Sequence, residues 1–450
     1  MSEELPDPRN GRDGPSLLAQ SVTGVYTAAA SGVVRFGSWW LRRSGQWPEE
    51  GLRERWARDL PDPPAARPIW IHAASMGEVR VGGLFGAELL ERGQAVVASA
   101  MTEPGYNLAQ QVFPANAPTF RVPFDLPGPL QRVIRHFDPR AIVLIETEWW
   151  PNLLIEASKA GVPVYVVNGR LSEKAYRRYR LGRAYWRHLL GAVDFFYMRS
   201  EDDAKRLHDL GIDRRRMRAM GTLKSVAEEE GATAGPQLDL LCRGNAPIWI
   251  AGCTRPGEEE IVLESYDIIR RQHPNLRLWI APRHPQRFDD VAEILQRTGR
   301  AFIRWNELNE ESSPADVLLV DRLGVLAGLY RHADVAFIGG SLLPYGGHNP
   351  LEPALAGIPV TFGQYMDQQR DAAEFLLGTG QASEVWGAES LAIAISEYLR
   401  EPVDPATRQE RAALLRARLE DVRRQVADAL LARLNVYAPV ATRHAVSSES

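Results

Sequence analysis

Along this chain, short continuous apolar runs alternate with longer stretches of helical period. Ile69–Ala73, Ala95–Ser99, Ala141–Ile145, Val162–Val167 and Phe195–Met198 are apolar runs of strand length, with amphipathic stretches between most of them. Such runs, separated by helix-length crossovers, predict a parallel sheet covered on both faces. The pattern pauses from Ala227 to Pro247, where Glu228–Glu230, Gly231, Gly235 and Pro236 read as a connection between domains. It restarts with Ile248–Ala251, Leu276–Ile280, Val317–Val320, Val335–Ile338 and Ile358–Phe362. Arg408–Leu434 reads as one or more charged helices, and the tail after Val440 as loose. Two doubly wound α/β domains in succession predict a cleft between them, with ligands at the carboxyl ends of the strands. The expected boundaries are an N-terminal segment 1–45, a first domain 46–226, a linker 227–246, a second domain 247–405, a helical segment 406–437 and a tail 438–450.

Composition narrows the class. A chain of 450 residues calls for two or three domains, and 45% hydrophobic with 24% charged residues is ordinary for a globular protein. The net charge of −4 provides no global field for nucleic acid, so attraction to an anionic partner must come from local patches. The two cysteines, Cys242 and Cys253, have neither disulfide-framework nor zinc-ligand spacing, which makes a reducing compartment the default. The first fifteen residues are polar and do not read as a cleavable signal. From Ser16 to Leu41 the only charge is Arg35, and Trp39, Trp40, Arg42 and Arg43 close the segment. Its length suits a span, but Gln20, Ser21, Thr23, Thr27 and Ser31 dilute it, so a peripheral or weakly anchored helix is expected.

Several segments carry candidate chemistry. Ser75, Gly77 and Glu78 follow the first apolar run; the small residues suit a sharp turn, and Glu78 at a helix start reads either as a base or as a dipole-complementing cap. Glu146 and Glu148, with Trp149 and Trp150, end another run and read as working or as solvated carboxylates. Lys224 precedes the linker and reads as a phosphate contact or a surface lysine. Pro282 stops a strand and Arg283 then offers a fork of donors. Thr254 reads as the N-cap of the helix that follows. Gly346, Gly347, His348, Asn349, Pro350, Leu351 and Glu352 combine a cap with paired glycines, whose amides at a helix start suit an anion. No P-loop, GxGxxG, GxSxG, HExxH or DxD element is present, which leaves hydride, kinase, hydrolase and metal-dependent sugar transfer with little support.

Taken in order, "IHAASMGEV" (71–79), "MTEPG" (101–105), "PFDLP" (123–127), "IETEWWPNLL" (145–154), "NGRLSEK" (168–174), "GTLK" (221–224), "GCTRPGEEE" (252–260), "APRHPQRF" (281–288), "AFIGGS" (336–341) and "GGHNPLEPA" (346–354) resemble the 3-deoxy-D-manno-octulosonic acid (Kdo) transferase family. The resemblance implies the GT-B fold, two Rossmann-like domains facing a cleft, with acceptor bound mainly by the first and donor by the second. It implies transfer of Kdo from CMP-Kdo to a lipid A precursor at the cytoplasmic side of the inner membrane, without cofactor, metal or nucleic acid. It makes Glu78 the general base and gives Glu146 and Lys224 transition-state roles. CMP contacts carry over to Pro282 and Arg283, to Leu323, Gly324 and Val325, and to Asn349, Pro350, Leu351 and Glu352. The early stretch Val25–Arg43 loosely resembles the family's anchor. The basic run Lys174, Arg177, Arg178, Arg180, Arg183 and Arg187, interleaved with Tyr176, Tyr179, Tyr185 and Trp186, suits anionic lipid or a solvated face.

This chain departs from the family at Val325, where an acidic residue is usual, at Ser225-Val226 for Phe-Asp, at Cys253-Thr254-Arg255 for Ser-Thr-His, and at Gly363-Gln364-Tyr365 for Gly-Pro-His. A GT-B transferase with another activated sugar or acceptor, and a non-catalytic lipid- or nucleotide-binding membrane protein, stay open as alternatives.

Overall fold

The computed structural model describes residues 17–44, 49–223, 246–308 and 315–436. The expected linker up to residue 245, Lys224, Ser225, Val226 and Cys242 lie outside the described residues, as do Ser16 and the tail. The chain divides into two compact units, Met1–Lys224 with Glu420–Ser450, and Ser225–Leu419.

The first unit is built on a parallel sheet of β1 (Ile69–Ala73), β2 (Val96–Ala100), β3 (Thr119–Arg121), β4 (Ala141–Ile145), β5 (Val164–Gly169), β6 (Phe195–Met198) and β7 (Met217–Ala219), in the order β3-β2-β1-β4-β5-β6-β7. Alternation along the pleat divides these strands between two cores. Trp70, Val97, Ile142 and Leu144 join one cluster, while Ile69, Ile71, Ala98, Val143 and Ile145 join the other. Burial on both faces is why the central strands read as unbroken apolar runs.

The second unit repeats the plan. β8 (Ile248–Thr254), β9 (Arg277–Pro282), β10 (Phe302–Arg304), β11 (Val317–Leu319), β12 (Val335–Ile338), β13 (Val360–Gly363) and β14 (Ala382–Val385) pair in the order β10-β11-β9-β8-β12-β13-β14, all parallel. Each sheet therefore changes winding direction once, between β1 and β4 and between β8 and β12. A crevice opens outside the carboxyl ends of the strands at such a point.

Two helices frame the description. Leu17–Ser44 is one helix, and among the described residues no helix is long and apolar enough to cross a membrane. It turns polar side chains inward: Thr23 is buried, the Tyr26 hydroxyl donates to Asp125 Oδ2 at 2.8 Å, and Thr27 Oγ1 donates to Asn152 Oδ1 at 2.9 Å. Val25 and Val33 stand 71% and 74% exposed, the reverse of an ordinary surface helix. The closing charged stretch is a single helix, Pro405–Val436. Leu415 and Leu419 belong to a core of the second unit, and Val422, Val426, Leu430 and Leu434 to a core of the first.

Candidate active site

β1 ends at Ala73, and the helix Met76–Glu91 begins three residues later with Ser75 as N-cap. Ser75 and Glu78 form a capping box. Glu78 Oε2 accepts from Ala74 N at 2.7 Å and Ser75 N at 3.4 Å, and Oε1 accepts from the Ser75 hydroxyl at 3.1 Å. The cap and the candidate base are thus one arrangement, since the bonds that cap the helix also aim the carboxylate. Burial raises the Glu78 pKa, the Ala74 amide opposes this, and Glu146 raises it further. The turn does not depend on Gly77, contrary to expectation. That residue lies in the first helical turn without a positive φ, and a Cβ there would meet nothing within 4 Å.

Glu146 leaves β4, the neighbour of β1, at φ +62°. Asn168, at φ +57° beside a register shift in β5, donates to Glu146 Oε1 at 3.4 Å and accepts from Leu223 N at 3.0 Å. Left-handed backbone at a glutamate costs about 1–3 kcal/mol and persists only where its surroundings enforce it. Glu148 accepts from Trp150 Nε1 at 2.8 Å. Burial first, then the charge of Glu78, pushes its pKa up to about 7. Behind it, fully buried His72 bonds the Ser99 hydroxyl through Nδ1 at 3.0 Å, with Nε2 3.9 Å from Glu148 Oε2. Burial holds His72 neutral, with its pKa lowered to about 4. From the sequence, Glu148 is a candidate carboxylate without an assigned role, and His72 and Asn168 are not singled out. Polar residues at the ends of otherwise apolar strands were their signal.

In the second unit the glycine-rich segment works differently from expectation. Glu258, fully buried at the start of the helix Glu258–Arg270, accepts from Arg255 N at 2.9 Å, Gly340 N at 2.6 Å, and Ser341 N and Leu342 N at 2.9 Å each. Gly347 N donates to Gly340 O at 2.7 Å, and His348 N to Gly339 O at 3.2 Å. These amides are spent inside the protein, so the loop is an anion nest already filled by a carboxylate of the chain. Gly347 is obligatory, with φ +75° and Met366 Sδ 2.4 Å from where a Cβ would stand. Thr254 is not a cap. It ends β8 and donates to Glu259 Oε1 at 3.0 Å, while Gly257 at φ +88° is the N-cap.

Positive side chains supply what the amides do not. Arg283 follows β9 and Arg255 follows β8, and neither has an ion-pair partner among the described residues. Arg255 bonds His284 Nε2 and lies 4.6 Å from the Tyr345 ring centroid. Burial, then Arg283, Arg255 and His284, lower the His348 pKa to about 4, and its Nε2 is buried without a hydrogen-bond partner. Histidines kept neutral beside uncompensated guanidiniums mark a site that awaits negative charge.

The remaining expected contacts divide. Pro282 is the last residue of β9 and Arg283 N donates to Thr254 O at 3.1 Å. Asn349 Oδ1 accepts from Leu351 N at 3.2 Å, and its amide donates to Glu352 Oε1 at 3.4 Å. The helix starts at Leu351, so Glu352 falls second in it rather than third, and Leu351 and Pro350 are buried. Leu323 and Gly324 are exposed, whereas the Val325 side chain is buried in the core. Among the described residues no group of three or more His, Cys, Asp or Glu is disposed to hold a metal ion.

Known proteins resemble this chain over most of its length. The family described as 3-Deoxy-D-manno-octulosonic-acid transferase (kdotransferase) matches residues 49–227. A 3-deoxy-D-manno-octulosonic acid transferase of Bordetella pertussis is 34% identical over 412 residues, covering 88% of this chain and 94% of the relative. That of Haemophilus influenzae is 33% identical over 308 residues, covering 67% and 72%. A crystal structure of a glycosyltransferase from Rickettsia africae superimposes with a TM-score of 0.57 at 11% identity, over 83% of this chain and all of that one, and shares the fold. The two Rossmann-like units are those of the GT-B fold, and the chain belongs to the 3-deoxy-D-manno-octulosonic acid transferases, a family of glycosyltransferases.

Proposed function

We propose that this enzyme transfers Kdo from CMP-Kdo to a hydroxyl of a lipid A precursor, by a single inverting displacement with Glu78 as general base. The observation that carries the reading is the Glu78 carboxylate itself. It is aimed by its own capping box, raised in pKa by burial, and set at the winding change of its sheet. The acceptor hydroxyl attacks the anomeric carbon and gives its proton to Glu78. The bond from that carbon to the phosphate oxygen breaks, and CMP leaves with the electron pair. Arg283 and His348 bear the growing charge on the phosphate, the task that a metal performs in other transferases. Glu146 supports the charge distribution near Glu78, and Lys224 is assigned by family resemblance to the same transition state.

The acceptor's lipid nature fits a peripheral location on the cytoplasmic face of the inner membrane. Supporting it are the outward valines of the helix Leu17–Ser44 and the exposed side chains of Lys174, Arg177, Arg178, Arg180, Arg183 and Arg187.

The test is Glu78→Gln, assayed with CMP-Kdo and a tetraacylated lipid A precursor. Turnover is expected to fall by roughly 10²–10⁴-fold, with CMP affinity by calorimetry unchanged and the wild-type product inverted at the anomeric carbon by NMR. Turnover within a few-fold of wild type would remove Glu78 from the reaction.

A further inference from the structure

The second unit holds more positive charge at its strand ends than a nucleotide monophosphate ester needs. Neither Arg255 nor Arg283 has a carboxylate within ion-pair distance among the described residues, whereas neighbouring Arg287 meets Glu259 and Asp290 at 3.5 Å each. Arg255 is also fixed in place. Its guanidinium stacks 4.6 Å from the Tyr345 ring centroid, Nη1 is taken by His284 Nε2, and Tyr345 is itself tied by its hydroxyl to Pro256 O at 3.1 Å. That leaves the edge formed by Nε and Nη2, and Nε is buried with no hydrogen-bond partner. A buried donor without an acceptor calls for an absent ligand atom. That edge has the side-on fork geometry that a carboxylate accepts with both oxygens.

We propose that Arg255 recognises the sugar carboxylate of the donor, while Arg283 serves the phosphate. The proposal rests on the reading of the donor as CMP-Kdo. That donor carries its two negative groups on one carbon, because the phosphate ester oxygen and the carboxylate both attach to the anomeric centre. One guanidinium cannot offer a planar fork to both. An added Cβ at Gly340 would lie 3.5 Å from Arg255 Cγ and 3.0 Å from His348 Cδ2, so arginine and histidine stand side by side over that glycine. His348 Nε2 is likewise buried without a hydrogen-bond partner beside the same ligand. Arg255 is thus a specificity-determining residue that separates acid sugars from neutral ones.

The experiment measures the Kd for CMP by calorimetry and the KM for CMP-Kdo by initial rates, in full-length wild type, Arg255→Gln and Arg255→Lys. Arg255→Gln is expected to raise the KM for CMP-Kdo roughly ten- to a hundredfold, with the Kd for CMP within about twofold and the unfolding midpoint unchanged. Arg255→Lys keeps the charge but loses the fork, so a smaller rise in KM is expected, again without effect on CMP; it also serves if the glutamine variant is unstable. Equal loss of CMP and CMP-Kdo would put Arg255 on the phosphate and overturn the proposal, as would no change in either. If wild type binds CMP but does not turn over CMP-Kdo, the donor reading itself fails and takes this assignment with it.

Discussion

Glu148 illustrates how a single residue in the site acts against stability. Its side chain is 18% exposed, and burial together with Glu78 moves its pKa from 4.5 to about 7. The folded protein therefore keeps a proton that the unfolded chain releases between these values. The corresponding stability is complete below pH 4.5 and is lost as pH rises through 7, amounting to about 3 kcal/mol. Glutamine is neutral at every pH, and its oxygen still accepts from Trp150. Glu148→Gln should match wild type near pH 4.5 and exceed it at pH 8 by on the order of 2–3 kcal/mol, or roughly 4–10 °C in thermal midpoint. Equal midpoints by calorimetry at pH 8 would mean that burial does not raise the Glu148 pKa. A group whose removal stabilises is retained for what it does. Its role was hard to see in sequence because Glu146 and Glu148 share one segment, and only the fold distinguishes a strained backbone from a carboxyl held near neutrality.

Among the elements, what the sequence made legible was the buried interior. The central strands announce themselves as apolar runs, but β3, β7, β10 and β14 do not, and these are the four edges of the two sheets. Each has three or four residues, with at least half of them partly exposed, so no continuous run survives. The glycine-rich segment stood out in the sequence, but its amides are not disposed as the local pattern suggests. Local pattern suggests a free amide at Gly347, whereas that amide donates to Gly340 O, and the neighbouring amides of Gly340, Ser341 and Leu342 are filled by Glu258 some 80 residues earlier, a long-range bond that no window reveals. Glu258→Gln should accordingly cost roughly 2–4 kcal/mol, because one carbonyl oxygen replaces two and an NH₂ faces backbone N–H donors. Glu260→Gln, on the exposed side of the same helix, should cost nothing. Denaturant titration compares the two, and equal midpoints would mean that the loop holds without Glu258.

At the scale of the whole molecule, a net charge of −4 opposes approach to an anionic membrane, so the proposed adsorption depends on a patch. The sequence presents the basic run as one helix with aromatic residues interleaved. The structure breaks it at Gly182 into Glu173–Leu181 and Arg183–Leu190, and sorts the residues by chemistry. Tyr179 and Trp186 pack together at 4.3 Å and with Trp149, leaving the arginines and Leu181 outward. Arg183–Leu190 adjoins the helix Leu17–Ser44, on which Val25 and Val33 are exposed. Each arginine near an anionic surface contributes about 1 kcal/mol. Replacing Arg178, Arg180 and Arg183 by Gln should then weaken binding to phosphatidylglycerol-containing vesicles by roughly a hundredfold. The loss should shrink as salt rises, and neutral phosphatidylcholine vesicles should not distinguish the variant from wild type. Val25→Asp should weaken binding to both kinds of vesicle, because the apolar contribution does not depend on headgroup charge. Co-sedimentation measures all four cases. Unaltered binding of the triple variant to anionic vesicles would remove this patch as the proposed membrane contact.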